Sequence, residues 1–250
     1  MPDFISSLAS TSGLGWIILA AFMSGLTRGF TGFGTALVFL PVAAQYLPPI
    51  AAILTLTFMD VLSPLPLLRR AWGDAARVDL RRLLIGTVLL LPVGLWILGQ
   101  VPQDIFRFGV SGLAIGMLVV LILGLRYRGE VRAGMVYAIG AAAGFLGGTA
   151  GLPGPPVILF YMARPLPTQV IRANTLLYLF GYDILLMIGI AGFGRMELKW
   201  AVLGVFLAVP GMLGSWIGGR LFRPGYERIY RAAAYAVIAA SALSGLPIWS

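Results

Sequence analysis

Neither cysteine nor histidine occurs in this 250-residue chain. Without cysteine there are no disulfides, and the redox compartment is left unmarked. Without histidine the commonest metal ligand and the commonest general base are both missing, so no metal, cofactor or catalytic residue is expected. Charge is scarce as well: Asp, Glu, Lys and Arg make up only 11% of residues, and just 9 of them are acidic. Hydrophobic residues reach 59% and mean hydropathy is +0.94, far from the average soluble domain. The 18 basic residues give a net charge of +9. They stand in short loops between apolar runs, as the loops of a multi-pass membrane protein do on the cytoplasmic side; no nucleic-acid partner is expected. The first residues include Asp3 and no basic stretch, which argues against a cleaved signal peptide. No loop is long enough for a soluble domain, and the longest, 69–82, is a basic connector.

What the chain does have is a repeat. Gly25-x-x-x-Gly29-Phe30-x-Gly32 returns as Gly140-x-x-x-Gly144-Phe145-x-Gly147, and sixteen residues past each first glycine stands Pro41-Val42 or Pro156-Val157. Thr55-Leu56-x-Phe58 parallels Thr175-Leu176-x-Tyr178, and Gly86 and Pro92 parallel Gly204 and Pro210 at equal spacing. Several matches in one order mark an internal duplication. Both glycine motifs interrupt long apolar stretches, and paired interrupted segments in the two halves are the strongest sequence pointer to a transporter's substrate site.

Six ordinary spans of roughly 20 residues are expected at 50–68, 83–98, 105–125, 173–193, 198–218 and 229–246. The stretches 14–47 and 133–162 are each too long for one crossing, and read as broken hairpins or as two short spans around a break. Arginine placement separates these options. If each broken stretch returns to its starting side, fourteen of the 18 basic residues face one side, among them Arg69, Arg126, Arg128, Arg164 and Arg223. Only Arg107, Arg195 and Lys199 face the other, and Arg28 stays in the membrane. Single crossings would give ten against seven, so the positive-inside rule favours hairpins. The expected fold is therefore an all-α integral membrane protein of two inverted-topology repeats, 1–128 and 129–250, each a Gly/Pro-broken hairpin plus three helices. Both termini are expected on the periplasmic side. Trp72, Trp200, Trp249, Tyr46 and Tyr230 fall near span ends, as interfacial aromatics do.

The first break offers Arg28, Gly29, Thr31, Gly32, Gly34 and Thr35. Glycines uncover backbone N–H groups, a half-helix beginning near Thr35 aims its positive end inward, and Arg28 adds a fixed charge. That set suits a small oxyanion. The alternative is that the glycines serve helix packing and Arg28 snorkels to the surface. The second break offers Gly147, Thr149, Gly151 and Gly154, with Pro155 and Pro156 fitting a first helical turn, and one anion is expected to be held by both breaks. Asn174 reads as a lining residue of the inner vestibule or as a helix-packing polar group. Asp60 and Asp183 are the only acids well inside spans. An intramembrane carboxylate is a functional hypothesis by default: proton carriage is one reading, an ion pair with Arg28 or a bond to a broken helix end the other.

Two glycine-rich motifs followed by proline, in two four-segment halves of a basic protein this size, resemble the TauE/SafE sulfite exporter family over about 14–246. The second copy, Gly147 to Pro156, is richer in proline than that family's pattern. The resemblance implies a carrier in the bacterial inner membrane that moves sulfite, sulfoacetate or another organosulfonate by alternating access. A membrane-embedded lipid phosphatase with inverted hairpins is the alternative from another class. Such chemistry needs a clustered acid, base and nucleophile, and the chain has no Glu within any span and no Ser beside Arg in either break. A passive anion channel is a third reading. The topology is testable because the chain has no cysteine of its own. Single cysteines at Arg77 and Arg228 should label only from the cytoplasm, and one at Lys199 only from outside. Cytoplasmic labelling at Asp3 or Trp249 would contradict the returning hairpins.

Overall fold

The structure, a computed structural model, describes residues 10–62, 64–65, 68–124, 132–162, 164, 166–221 and 226–246. Asp3, Arg126, Arg128, Arg223 and Trp249 lie outside the described residues. Eleven helices and no strand occur among those described. In chain order they are α1 (Leu14–Thr31), α2 (Thr35–Ala43), α3 (Pro49–Val61), α4 (Leu68–Asp74), α5 (Arg77–Leu98) and α6 (Gln103–Leu123). Then follow α7 (Ala133–Ala150), α8 (Gly154–Met162), α9 (Thr168–Gly192), α10 (Leu198–Leu221) and α11 (Glu227–Gly245). Helices satisfy every backbone amide within the segment, as lipid demands. Six of them, α1, α5, α6, α7, α9 and α10, are long and apolar enough to cross a bilayer, so the chain is a multi-pass membrane protein.

Glycine and proline set the boundaries. Gly32 (φ 81°) closes α1 and Gly34 (φ 100°) precedes α2, while Gly151 (φ 68°) closes α7. Only glycine enters this left-handed region at no steric cost. The first arm of each broken stretch has 18 residues, about 27 Å at 1.5 Å per residue. Only the second arms, of nine residues each, are half-helices. The span expected at 50–68 stops at Val61. Pro64, with the constraint proline puts on its predecessor, blocks continuation there. The span expected at 229–246 is helical as α11, but Glu227, Arg228 and Arg231 in its first turns leave it outside the clearly apolar set.

The helices gather into two compact units that cut across the sequence halves. Unit 1 holds α1, α2, α3, α10, α11 and α6 as far as Val119. Its central contact is α1 along α10, with α3 also on α10 and α2 on α1 and α11. A Cβ at Gly13, just before α1, would collide with the ring of Tyr46, just after α2. The hairpin therefore returns to the level where it began. Ala234, Ile238 and Ala242, spaced four apart, form the buried stripe of α11. Unit 2 holds α4, α5, α7, α8 and α9, and its central contact is α7 along α5, with α9 against α4 and α5.

The two central contacts use corresponding atoms. Cβ atoms added at Gly25 and Gly29 of α1 would run into the carbonyls of Gly211 and Ser215. Added at Gly140 and Gly144 of α7, they would run into those of Leu83 and Thr87. Reciprocally, Gly214 meets the Phe22 carbonyl and Gly86 the Tyr137 carbonyl. Gly86 is thus matched in environment by Gly214. Gly204, its counterpart by repeat spacing, packs instead on Thr55 and Phe58 of α3. Equal Gly–Pro spacing cannot distinguish two glycines that both face a neighbouring helix. Backbones this close leave no room for a methyl group. Gly144→Ala should lower stability by about 1–3 kcal/mol, read as thermal unfolding in detergent. Gly116→Ala, whose Cβ would meet nothing within 4 Å, should not.

Candidate functional site

The break in unit 1 consumes most of its own polar groups. The Gly32 amide donates to the Arg28 carbonyl at 2.7 Å. The Thr31 hydroxyl lies 2.9 Å from the Thr27 carbonyl and 2.8 Å from that of Phe33, and accepts from the Phe33 amide at 3.3 Å. Gly34 brings no side chain to cap α2, so the amides of its first turn have no partner within the helix. Space is open beside Gly32: an added Cβ would meet nothing within 4 Å. At Gly34 it would come within 3.2 Å of Thr27 Cγ2.

A carboxylate already sits at this uncapped end. Asp60, the penultimate residue of α3, accepts from Arg28 Nη1 at 3.0 Å and also meets the side chain of Thr35, the first residue of α2. The side chains of Arg28 and Asp60 are 22% and 23% exposed, so the pair is screened but not sealed. Arg28 also stands in the last turn of α1, where a cation complements the helix dipole. Both the local peptide geometry and the long-range pairing place positive charge around the Asp60 carboxylate.

Unit 2 treats its break differently. Gly151 donates to the Gly147 carbonyl at 2.8 Å, and Thr149 turns back onto the Phe145 carbonyl at 2.8 Å. Gly147 faces the Tyr182 ring, with an added Cβ only 2.8 Å from the hydroxyl. The expectation of free amides at Gly32 and Gly151 is therefore corrected: both close the helices they end. Prolines at 155 and 156 carry no N–H, so the start of α8 offers fewer donors than the start of α2. Gly29 is committed to packing against α10. Asp183 has Tyr178 and Tyr182 as electrostatic neighbours. The Tyr178 hydroxyl lies 2.8 Å from that of Thr87, whose single proton has the Leu83 and Gly140 carbonyls as acceptors.

The sequence marks Arg164 only as a loop charge and gives no pointer to Asp79, yet the two pair at 2.8 Å beside Tyr161 and Asn174. Nothing in their spacing announces this, because 85 residues separate them. Arg28 with Asp60 was legible as one of two readings of an intramembrane acid. Among known proteins, the family described as Sulfite exporter TauE/SafE matches residues 17–245. No curated protein and no solved structure matches the chain. A match over nearly the whole sequence, on a helical membrane protein with two glycine-broken stretches, shows that the chain belongs to the TauE/SafE sulfite exporter family of membrane transporters.

Proposed function

We propose that the chain is a secondary carrier of a small sulfur oxyanion, sulfite or an organosulfonate, across the inner membrane, coupled to protons through Asp60. The observation that supports this reading is the Arg28–Asp60 pair at the uncapped start of α2. A carboxylate there occupies the place that a substrate oxyanion would need. The guanidinium can offer two parallel donors to either occupant, so the two compete for it. When the oxyanion wins, Asp60 is left half-buried beside another negative charge, an arrangement that favours its protonation. When the proton leaves, the carboxylate recaptures Arg28 and expels the anion. One anion and one proton then move as a unit, with no step that strands an unpaired charge.

Asp183 is the other acid expected to carry protons. It lies near Tyr178 and Tyr182; Asp60 is paired with Arg28, the cation that an anion would bind. The choice therefore falls on Asp60.

Two outcomes are expected. Arg28→Ala removes a charge-assisted contact of about 1.5–3 kcal/mol, so anion affinity should fall roughly tenfold to a hundredfold. Arg28→Lys should keep part of it, as calorimetry in detergent would show. Wild-type affinity in Arg28→Ala would remove Arg28 from the site.

Competition also sets a sign for pH. Acid protonates Asp60 and frees Arg28, so a sulfonate with no titrating group of its own should bind more tightly as pH falls. In Asp60→Asn that dependence should vanish, and proteoliposomes should lose flux driven by a pH gradient while retaining counterflow. Gradient-driven flux surviving in Asp60→Asn would remove the coupling role.

A further inference from the structure

A second polar cluster stands in unit 2. Asn174 near the start of α9 is fully buried, and its Oδ1 accepts the Ala76 amide at 2.9 Å. Because a backbone N–H can only donate, that bond fixes the amide's orientation and leaves Nδ2 facing the interior without a partner. Tyr161, at the end of α8, is also fully buried, and its hydroxyl has no partner either. Arg164 gives Nη2 to Asp79 at 2.8 Å while its buried Nε donates to nothing. The Asn174 side chain lies close to the Tyr161 hydroxyl but outside hydrogen-bond geometry, and Asp79 and Arg164 stand near the same hydroxyl, which gathers the three donors in one place.

The inventory is lopsided. Both Asp79 oxygens already face arginines, Arg164 at 2.8 Å and Arg82 at 3.8 Å. The atoms left over are N–H and O–H donors, and leaving such groups buried and unmade costs about 1–3 kcal/mol each. With two arginines against one aspartate, the local charge is net positive. What fits is an acceptor carrying negative charge. Arg164 is 27% exposed along its side chain, so the cluster keeps an opening.

We propose that Arg164, Asn174 and Tyr161 form a loading site for the carried oxyanion at the arginine-rich end of unit 2, separate from Arg28. The ligand class rests on the anion-carrier reading; the donor geometry does not. The site would hold an anion at low affinity before transfer, with Asp79 fixing the guanidinium so that Nε faces the ligand.

Two variants separate an anion from a buried water. Tyr161→Phe removes one donor and keeps the ring. Asn174→Asp keeps the acceptor for Ala76 but replaces two N–H donors with a charged oxygen, which a water tolerates and an anion does not. Calorimetric titration of the full chain in detergent with sulfite should show two sites in the wild type and one in Arg28→Ala. In the Arg28→Ala background the remaining site should weaken about tenfold with Tyr161→Phe and disappear with Asn174→Asp. A single wild-type site, lost in Arg28→Ala and indifferent to Asn174→Asp, would overturn the loading site and leave the carrier reading intact. A single site indifferent to Arg28→Ala but lost in Asn174→Asp would support the loading site and remove Arg28 from binding. Sulfite counterflow in the same preparation reports on the carrier reading separately, and counterflow without any site sensitive to Asn174→Asp overturns the loading site alone.

Discussion

A backbone amide or carbonyl stranded in hydrocarbon costs several kcal/mol, and this constraint governs how the chain can interrupt its helices at all. Each break is closed by a glycine in the left-handed region whose N–H returns to the last turn, Gly32 to Arg28 and Gly151 to Gly147. Thr31 and Thr149 complete the closure with their hydroxyls. What stays open is the beginning of the second arm. At α2 the preceding residue, Gly34, has no side chain to cap the first turn. At α8 two prolines remove donors from the same position. The two breaks look alike as sequence motifs, yet their second arms differ in the backbone donors they can offer.

Glycine has a second role that the first depends on. A broken hairpin has lost part of its own helix ladder and is held by what packs beside it. In unit 1 that support is α10, which meets α1 through Gly25, Gly29, Gly214 and Gly218; in unit 2 it is α5, which meets α7 through Gly86, Gly94, Gly140 and Gly144. Without an aqueous hydrophobic effect between helices, close backbone approach and van der Waals contact supply the attraction. The first arm of each broken stretch thus leans on a helix from the opposite half of the sequence, which is why the compact units are discontinuous in the chain.

The Arg28–Asp60 pair belongs to another category. A screened ion pair is weak evidence for stability, since desolvation offsets much of the attraction. Its partial exposure leaves it open to exchange, which the proposed carrier cycle requires of an internal counter-ion. The Asp79–Arg164 pair differs in its surroundings. There the cation is held in place and the neighbouring donors are left unfilled.

The sequence alone determined that the chain is helical and membrane-embedded, because 59% hydrophobic residues with so few charges allow nothing else. It also determined where the breaks fall, since glycine and proline act locally through φ and a missing N–H, and both boundaries lay where the motifs stood. The repeated glycines were legible for the same reason. The partners of those glycines were not. Gly86 and Gly204 carry the same flanking pattern, and only packing separates the one facing α7 from the one facing α3. Local spacing likewise could not say which amides remain free, because Gly32 and Gly151 spend theirs on helix closure. Asp60 finding Arg28 across 32 residues, and Asp79 finding Arg164 across 85, were decided by tertiary structure. Charge pairing at such separations depends on which helix faces meet, and no periodicity in the chain encodes that.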